Sequence, residues 1–406
     1  MAYRYFNQRP LARKNTPAAK DIAMPRVFSF FSRLRMGRAG VDKPLLLLIL
    51  LLSGIGSVMI FSASYANAAV RYGDSFYFIK RQVLWLFIGC LVMLLFSYIS
   101  RRTLEKYTLP LFLLTLLLLV LVLIVGQSGG GAQRWLGIGA LTFQPSELAK
   151  TALVLLLARH FARHSDSITD YRTRGLSFRV GTLAPLGYIA VFCLLVALEK
   201  HLSCIIILGM LGVSMMFAGG SRPRYLALFG SMFVAGVGAL AIFTEYTKRR
   251  IMIWQNPEAF PLDGGWQTLQ GLMAIGSGGF FGLGLGNSRL KYSYVAEPQN
   301  DFIFTVTCEE LGFLGAFFIL SLFLLFILRG YTVALRHPDP FSGLVAFGIT
   351  TKVGIQVLLN IAVVTNSIPN TGISLPFFSY GGSSLVMLFA EMGILLSFSR
   401  TSRIAR

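Results

Sequence analysis

The sequence predicts an all-α polytopic membrane protein with about ten transmembrane helices. The 406 residues are 55% hydrophobic and 13% charged, and the mean hydropathy is +0.66, whereas soluble domains carry about 25% charged residues. Apolar runs close to the ~20 residues that span a bilayer recur along the chain, and basic residues cluster between them. The net charge of +20 also fits nucleic-acid binding, but no basic soluble module accompanies it, so no nucleic-acid partner is predicted.

The chain begins with a basic, proline-containing arm over residues 1–43, which lacks the apolar core and cleavage site of a secretory signal. A membrane domain follows over 44–400, and residues 401–406 form a short tail. The predicted spans are 44–63, 83–99, 109–126, 145–162, 181–198, 202–218, 225–243, 302–328, 341–365 and 380–398. The long polar segment over 244–301 forms a large loop between spans seven and eight.

Loop charges predict the orientation of the chain. When successive segments are assigned alternately to the two sides, one side receives 25 lysines and arginines and the other receives 10. Positive charge is enriched in cytoplasmic loops. Both termini are therefore predicted to be cytoplasmic, and the loop over 244–301 is predicted to be extracytoplasmic.

Charged residues also occur inside the predicted spans, where they usually face a partner or a cavity because a charge in the bilayer is costly. Glu147 lies three residues before Lys150 on the same helical face and can pair with it. Lys150 is one turn inside its span, so it can reach a ligand at the extracytoplasmic surface. The remaining residues are Lys352, Glu309, Glu310 and Glu391. For these, pairing between helices and a functional role both stay open.

The segment around Arg134 and Trp135 combines a flexible backbone with a cation. Gly129, Gly130 and Gly131 precede it and allow the backbone to approach a ligand closely. The planar guanidinium of Arg134 suits a diphosphate. An interfacial aromatic belt with a snorkelling arginine fits the same residues.

The long loop carries two further candidate segments. Lys248, Arg249 and Arg250 fit an anionic headgroup or a diphosphate, and they also fit the solvated end of a helix. The glycine-rich stretch over 276–286 follows no predicted strand, so it is interpreted as a re-entrant or surface-lying turn rather than a nucleotide site.

Asp301 ends the long loop at the edge of the next apolar run, four residues after Glu297. Desolvation at that edge raises the pKa of a carboxyl group and makes it a better base, whereas a helix N-cap is the ordinary role of an acid at this position. The uncharged segment over 369–384 is dense in turn formers and hydroxyls and is predicted to form a loop over a cavity. These segments together predict an extracytoplasmic site for an anionic, lipid-linked ligand, in an enzyme or in a transporter.

Four segments together resemble the SEDS family of bacterial peptidoglycan glycosyltransferases, which includes FtsW, RodA and SpoVE. They are Ala132-Gln133-Arg134-Trp135, Gln144-Pro145-Ser146-Glu147 with Lys150, Asn300-Asp301-Phe302-Ile303-Phe304 with Glu309-Glu310-Leu311-Gly312, and Leu375-Pro376 through Ser379-Tyr380-Gly381-Gly382-Ser383-Ser384. The resemblance covers about residues 44–400. Ser374 before Leu375-Pro376 and the long basic arm resemble FtsW or SpoVE more than RodA.

One segment departs from the family pattern. Glu199-Lys200-His201-Leu202-Ser203 stands where the family usually has a Gln-Pro-Asp-Leu-Gly-like turn. The role of that turn's acid is therefore not carried over to this chain, and either Glu199 or His201 is a candidate to replace it.

The resemblance implies an enzyme that polymerises lipid II into β-1,4-linked glycan strands and releases undecaprenyl diphosphate. Asp301 matches the family's essential acid and is expected to be the general base. Arg134 and Lys150 are expected to stabilise the diphosphate, with Glu147 orienting Lys150. The secondary cations would be Lys248, Arg249 and Arg250, and the sugar groove would be lined by Glu297, Ser379, Tyr380, Gly381, Gly382 and Ser383.

No cofactor requirement is evident in the sequence. A divalent cation, Mg²⁺ or Mn²⁺, is compatible with a diphosphate substrate, but no cluster of metal ligands is evident. The four cysteines (Cys90, Cys193, Cys204 and Cys308) have no metal-ligand spacing.

The resemblance also implies partners and a location. The partners are lipid II and the nascent glycan strand, a class B penicillin-binding transpeptidase and other divisome membrane proteins. The location is the bacterial cytoplasmic (inner) membrane at the division septum. A lipid II flippase, a divisome scaffold, and an elongation or sporulation polymerase of the RodA or SpoVE type are the alternatives. A flippase predicts polar residues through the full depth of the bilayer, whereas here they concentrate at the extracytoplasmic edge.

Overall fold

The computed structural model of the chain describes residues 40–129, 132–138, 141–169, 174–243, 245–261, 264–292 and 297–402. Most of the predicted arm over 1–43 and residues 403–406 of the predicted tail lie outside the described residues. The elements in chain order are α1 (Lys43–Tyr72), α2 (Tyr77–Phe96), α3 (Arg101–Val125), β1 (Gln127–Gly129), β2 (Ala132–Ile138), β3 (Leu141–Phe143), α4 (Pro145–Arg163), α5 (Ser165–Thr169), α6 (Arg174–Phe178), a π-helical turn (Arg179–Leu183), α7 (Ala184–Leu198), α8 (Leu202–Ala218), α9 (Pro223–Phe243), α10 (Glu245–Gln255), a 3₁₀ turn (Pro257–Ala259), α11 (Gly265–Ser277), α12 (Ile303–Leu335), α13 (Pro340–Val364) and α14 (Gly382–Thr401).

Each of the ten predicted apolar runs lies on a helix. Within the described residues, seven helices are long and apolar enough to cross a membrane: Lys43–Tyr72, Tyr77–Phe96, Arg101–Val125, Arg179–Leu198, Ile303–Leu335, Pro340–Val364 and Gly382–Thr401. Helix α8 is apolar but has 17 residues, and α4 carries four charged residues. The chain is a multi-pass, helical membrane protein, and a total of ten spans remains a prediction.

The structure adds a small antiparallel sheet to the predicted all-α fold. Strands β1, β2 and β3 pair in sequence order, with Gln127 opposite Trp135 and Leu136 opposite Phe143. The sheet occupies the segment around Arg134 and Trp135, for which a flexible backbone was predicted, directly before α4. The predicted loop over 244–301 likewise contains regular structure, because α10 and α11 lie within it.

Helices α4, α13 and α14 form the centre of the bundle. Two thirds of the apolar window of α13 and of α14 is buried (67%), against 22% for α2 and α3, which lie at the periphery. Small residues allow the helices to approach closely. A Cβ at Gly393 of α14 would lie 2.5 Å from the Met93 carbonyl oxygen of α2, and one at Gly348 of α13 would lie 2.6 Å from Val154 of α4.

One end of the bundle is closed by helix N-caps that also bind arginines. Asp42 caps α1 and lies 2.8 Å from Arg329 of α12. Asp339 caps α13 and lies 2.8 Å from Arg101 of α3. Sequence segments assigned to one side of the membrane by their charge therefore meet at one end of the bundle.

Helix α12 is interrupted at Gly312, whose φ of 66° and ψ of −168° are not helical. The glycine loop (residues 278–292) packs into this break. Leu283 N–H donates to the Glu309 carbonyl and Gly284 N–H to the Glu310 carbonyl, both at 3.0 Å, while Phe313 N–H donates back to Gly279 at 2.9 Å. A Cβ at Gly312 would lie 2.3 Å from the Gly282 nitrogen, so this contact requires glycine.

The side chains of Glu309 and Glu310 complete the attachment of the glycine loop. Glu309 accepts a hydrogen bond from the Arg289 N–H at 3.0 Å. Glu310 accepts one from Ser62 of α1 and lies 3.2 Å from the Nζ of Lys291, which is fully buried. Of the two roles left open for these acids, the structure supports the structural one.

Candidate active site

A cavity of about 750 Å³ opens at the end of the bundle opposite the capping aspartates. It is bounded by the sheet, the start of α4, α2, the turn before α8 and the two segments that precede α12 and α14. The predicted site residues that line it are Arg134, Glu147, Lys150, Glu297, Asp301, Ser379, Tyr380, Gly381, Gly382 and Ser383. The structure thus brings together residues that are far apart in sequence.

Asp301 lies at the wall of this cavity, just before α12. Asn360 of α13 holds its backbone, since the side-chain amide donates to the Asp301 carbonyl at 2.9 Å and to the Ile373 carbonyl at 2.7 Å. Gly372 faces the carboxylate, and a Cβ there would lie 3.1 Å from Oδ2 of Asp301. Gly372 also has a φ of 70°, so glycine provides both the turn and the space beside the acid.

The pKa of the Asp301 carboxyl is raised to about 6, chiefly by burial and also by the negative charge of Glu297, while Arg250 and Arg134 act in the opposite direction. Desolvation disfavours the charged form of an acid, and a nearby carboxylate does the same. Asp301 is therefore ionised at neutral pH, with the proton affinity that suits a general base.

Two hydrogen bonds join the segment before α12 to the segment before α14. The hydroxyl of Ser379 donates to the Asn300 carbonyl at 2.9 Å and accepts from the Leu375 N–H at 2.7 Å, and the Tyr380 N–H donates to the Gln299 carbonyl at 2.9 Å. The predicted loop over 369–384 therefore positions Asn300, the residue before Asp301, and it also lines the cavity.

Arg134 of β2 is held by main chain. Its Nη2 donates to the carbonyl oxygen of Lys200 at 2.7 Å, and Lys200 has a left-handed φ of 55°. The Nε of Arg134 is buried without a hydrogen-bond partner among the described residues. The guanidinium is thus fixed at one edge of the cavity with donor capacity left.

The turn that departs from the family pattern surrounds this contact. Glu199 is buried, and burial raises its pKa to about 8 despite the nearby Arg134, so the carboxyl group is largely neutral. His201 lines the cavity with its Nδ1 3.3 Å from the Ser146 hydroxyl, and burial, reinforced by nearby cations, lowers its pKa to about 3. At neutral pH, therefore, neither Glu199 nor His201 provides the negative charge of the acid that the family has in this turn.

Glu147 and Lys150 lie at the floor of the cavity, where their side chains pair as predicted, with Nζ 2.7 Å from Oε1. The lysine side chain is 3% exposed and that of the glutamate 13%, so the ammonium is buried and the carboxylate is only slightly exposed, within the first two turns of α4. Their contact places a fixed ammonium group below Arg134.

The three predicted secondary cations do not all have the same surroundings. Arg250 of α10 does not line the cavity among the described residues, but it donates to the Asn370 carbonyl at 2.7 Å and its charge acts on Asp301. Lys248 and Arg249 are exposed on the same helix and are not among the described residues that line the cavity.

Sequence reasoning missed one face of α2. Arg81 and Trp85 line the cavity, the guanidinium of Arg81 stacks over the Tyr77 ring at 4.0 Å, and a Cβ at Gly382 would lie 2.5 Å from the Trp85 ring. Tyr77, Arg81 and Trp85 follow one another at intervals of four residues, which is the spacing of one helix face. This spacing in the sequence could have identified the face of α2 that lines the cavity.

The cavity and its surroundings show no metal centre within the parts of the chain that the structure describes. No group of three or more histidine, cysteine, aspartate or glutamate side chains among those residues is placed to hold a metal ion.

The fold and the cavity define a multi-pass membrane protein with a carboxylate and several cations gathered at one end of its helical bundle. The chain belongs to the SEDS family: residues 43–404 match the family of cell cycle proteins formed by FtsW, RodA and SpoVE. The predicted family is confirmed.

Individual relatives agree with this assignment. The probable peptidoglycan glycosyltransferase FtsW of Geobacter sulfurreducens is 40% identical over 361 residues, covering 88% of this chain and 95% of the relative. Stage V sporulation protein E of Bacillus subtilis is 40% identical over 364 residues, covering 89% and 98%.

Solved structures agree as well. One, described as a peptidoglycan synthase complex that coordinates polymerization and crosslinking, has a TM-score of 0.72 at 29% identity, covering 89% of this chain and 98% of that chain. The rod shape determining protein RodA of Thermus thermophilus has a TM-score of 0.66 at 29% identity, with the same coverage.

Proposed function

We propose that this chain is a peptidoglycan glycosyltransferase that polymerises lipid II at the outer face of the cytoplasmic membrane. The observation that carries the proposal is the placement of Asp301, with its raised pKa, in one cavity with Arg134 and Lys150. The names of the curated relatives support the same activity.

Asp301 acts as the general base in this proposal. The 4-hydroxyl oxygen of the acceptor N-acetylglucosamine attacks C1 of the donor N-acetylmuramic acid, and the hydroxyl proton passes to the Asp301 carboxylate. The new bond to C1 replaces the bond between C1 and the diphosphate oxygen, so the configuration inverts to a β-1,4 link. A pKa of about 6 allows the carboxylate to be ionised before the step and to accept the proton during it.

The leaving undecaprenyl diphosphate needs positive charge rather than a proton donor. Arg134 and Lys150 supply that charge from a fixed geometry, which stabilises charge as it develops. Arg250 adds positive charge near Asp301, and Glu297 with the segment over 379–383 lines the sugar groove. A divalent cation, if used, arrives with the diphosphate.

We place the catalytic cavity on the extracytoplasmic side, in a chain of ten spans with both termini in the cytoplasm. The opposite end of the bundle supports this orientation, because Arg101 and Arg329 gather there, as expected of a cytoplasmic face.

The proposed biological role is septal wall synthesis together with a class B penicillin-binding transpeptidase and other divisome proteins. Ser374 before Leu375-Pro376 supports the FtsW or SpoVE branch. The similarity to a peptidoglycan synthase complex supports a crosslinking partner.

A lipid II flippase is the second candidate. The observation that favours it is a charged pair in the middle of the bundle, Lys352 with Glu391, which lies deeper than the cavity. A transport path needs such polar groups along its length.

The experiment is lipid II polymerisation by the purified chain with its transpeptidase. Asp301→Asn and Asp301→Ala are expected to reduce glycan formation by about 10²- to 10⁴-fold. The matched control is Asp74→Asn, since Asp74 pairs with the exposed Lys80 and does not line the cavity, and it should polymerise like the wild type. Normal polymerisation by both Asp301 variants would refute the base assignment. Wild-type protein that makes no glycan but moves lipid II across liposomes would favour the flippase.

A further inference from the structure

Lys352 and Glu391 form a buried ion pair that joins three central helices. The Nζ of Lys352 on α13 lies 2.6 Å from both carboxylate oxygens of Glu391 on α14, and the two side chains are 3% and 1% exposed. Thr151 of α4 donates its hydroxyl to the same carboxylate. From the sequence alone, both pairing and a functional role stay open for this lysine and this glutamate.

This pair lies directly behind the floor of the large cavity. A second cavity of about 30 Å³ is lined by Glu147 and Lys352 together, and also by Gln356. Glu147 and Gln356 line the large cavity as well. One member of each charged pair, Glu147 and Lys352, therefore lines the same small cavity.

Each member of one pair acts on the other pair. Glu147 is attracted by Lys352 as well as by Lys150, and Lys150 is attracted by Glu391 as well as by Glu147. An unpaired charge is strongly unfavourable inside a protein. If Glu391 lost its charge, Lys352 would need another carboxylate, and Glu147 is the one that shares a cavity with it.

We propose that Lys352–Glu391 is a positioning pair: Glu391 occupies Lys352, so that Lys352 does not draw Glu147 away from Lys150, and the Lys150 ammonium stays at the floor of the cavity for a diphosphate. The pair touches no substrate atom and acts through Glu147. The inference rests on the proposed function, because it takes the ligand of Lys150 to be the diphosphate of a polyprenyl lipid.

Three variants of the full-length chain test the proposal. Glu391→Gln leaves Lys352 unpaired. The double variant Lys352→Met/Glu391→Met removes both charges. The exchange variant Lys352→Glu/Glu391→Lys keeps an ion pair but places a carboxylate beside Glu147. The control is Asp42→Asn, which disturbs the buried pair with Arg329 at the other end of the bundle.

The readouts are KM and kcat for lipid II, Kd for undecaprenyl diphosphate followed by tryptophan fluorescence, and the melting temperature. Trp85 and Trp135 line the cavity and report binding. We expect Glu391→Gln to raise KM and Kd about ten-fold or more, the size of one charged hydrogen bond, with a smaller change in kcat. The double variant should return Kd to within about three-fold of wild type.

The exchange variant separates positioning from simple pairing. It should keep the melting temperature and still bind undecaprenyl diphosphate about ten-fold more weakly, because the new carboxylate repels Glu147. Asp42→Asn should lower the melting temperature and leave Kd unchanged.

Wild-type affinity in the exchange variant, or in a folded Glu391→Gln protein, would overturn the proposal. If Glu391→Gln fails to fold, the double and exchange variants decide, since neither leaves an unpaired charge. Wild-type protein that binds undecaprenyl diphosphate but makes no glycan would refute the proposed function alone, and the binding comparison would still test the pair.

Discussion

Asp301 gains its basicity from its position rather than from its residue type. The edge of the bundle removes water from the carboxylate, and Glu297 four residues earlier adds a negative charge. The expected N-cap role is not what the structure shows, because α12 begins with Phe302 as its cap and without a side-chain cap hydrogen bond. The acid is left to face the cavity.

The first prediction concerns pH. Activity should fall as pH decreases through about 6, because the base becomes protonated. Glu297→Gln removes a charge that raises the pKa of Asp301, so its acidic limb should move to lower pH. Glu258→Gln, at an exposed position in the 3₁₀ turn, is the control and should leave the limb in place. The rate of glycan formation between pH 4.5 and 8 measures this shift. Coincident pH profiles for Glu297→Gln and the wild type would contradict the prediction.

The second prediction concerns stability. The pKa of Asp301 in the folded chain, about 6, exceeds the ordinary value near 3.9. Its stabilising contribution is therefore complete below pH 4 and is lost as pH rises through 6. Asp301→Asn should be more stable than wild type at pH 8, by on the order of 1 kcal/mol after discounting for partial exposure.

Thermal melting in detergent at pH 8 and pH 4.5 provides the measurement. The advantage of Asp301→Asn should shrink at the lower pH. An equal difference at both pH values would show that the buried charge is not its cause.

At the scale of elements, the break in α12 and the glycine loop depend on each other. The loop supplies N–H groups to carbonyls that the interrupted helix leaves without helical partners. The acids of the same helix hold the loop from the other side, through Arg289 and Lys291. The result is a fixed segment just before the residues that lead to Asp301.

The third prediction tests this contact. Gly312→Ala places a Cβ against the Gly282 nitrogen at a residue with positive φ, and should cost at least about 2 kcal/mol of stability. Gly276→Ala in α11 is the control, because nothing lies within 4 Å of its Cβ position. It should be neutral or slightly stabilising, since alanine favours the helix. Equal melting temperatures for the two variants would contradict the prediction.

At the scale of the whole molecule, polar groups sort to opposite ends of the bundle. Asp42, Arg101, Arg329 and Asp339 close one end, and the cavity opens at the other. This arrangement gives the predicted orientation a direct test.

The fourth prediction uses single cysteines in a chain whose four native cysteines are replaced by alanine. Lys80→Cys, at an exposed position near the cavity end, should react with a membrane-impermeant maleimide added to intact cells. Lys106→Cys, exposed at the other end, should react only after permeabilisation. The reverse pattern would invert the proposed topology.

The helices could be predicted because apolar runs of bilayer length are typical of membrane-spanning helices, and all ten runs lie on helices. The grouping of Asp301 with the segment over 379–383 was also predictable, but through resemblance rather than spacing. The pairing of Lys150 with Glu147 followed from helical periodicity alone.

Other features could not be predicted, for physical reasons. The hydrogen bond from Arg134 ends on a carbonyl, and every residue has one. The partner of Lys352 lies 39 residues away on another helix, where periodicity carries no information. The sheet is made of strands of three to seven residues, which are too short for a clear alternating pattern.

The contact between Arg134 and Lys200 has a consequence for mutational tolerance. Because the guanidinium binds the carbonyl oxygen, the side chain at position 200 contributes nothing to the hydrogen bond itself. Its left-handed backbone would accept glycine or asparagine at least as readily as lysine. Position 200 is therefore open to neutral sequence drift, although its carbonyl oxygen binds an arginine that lines the cavity.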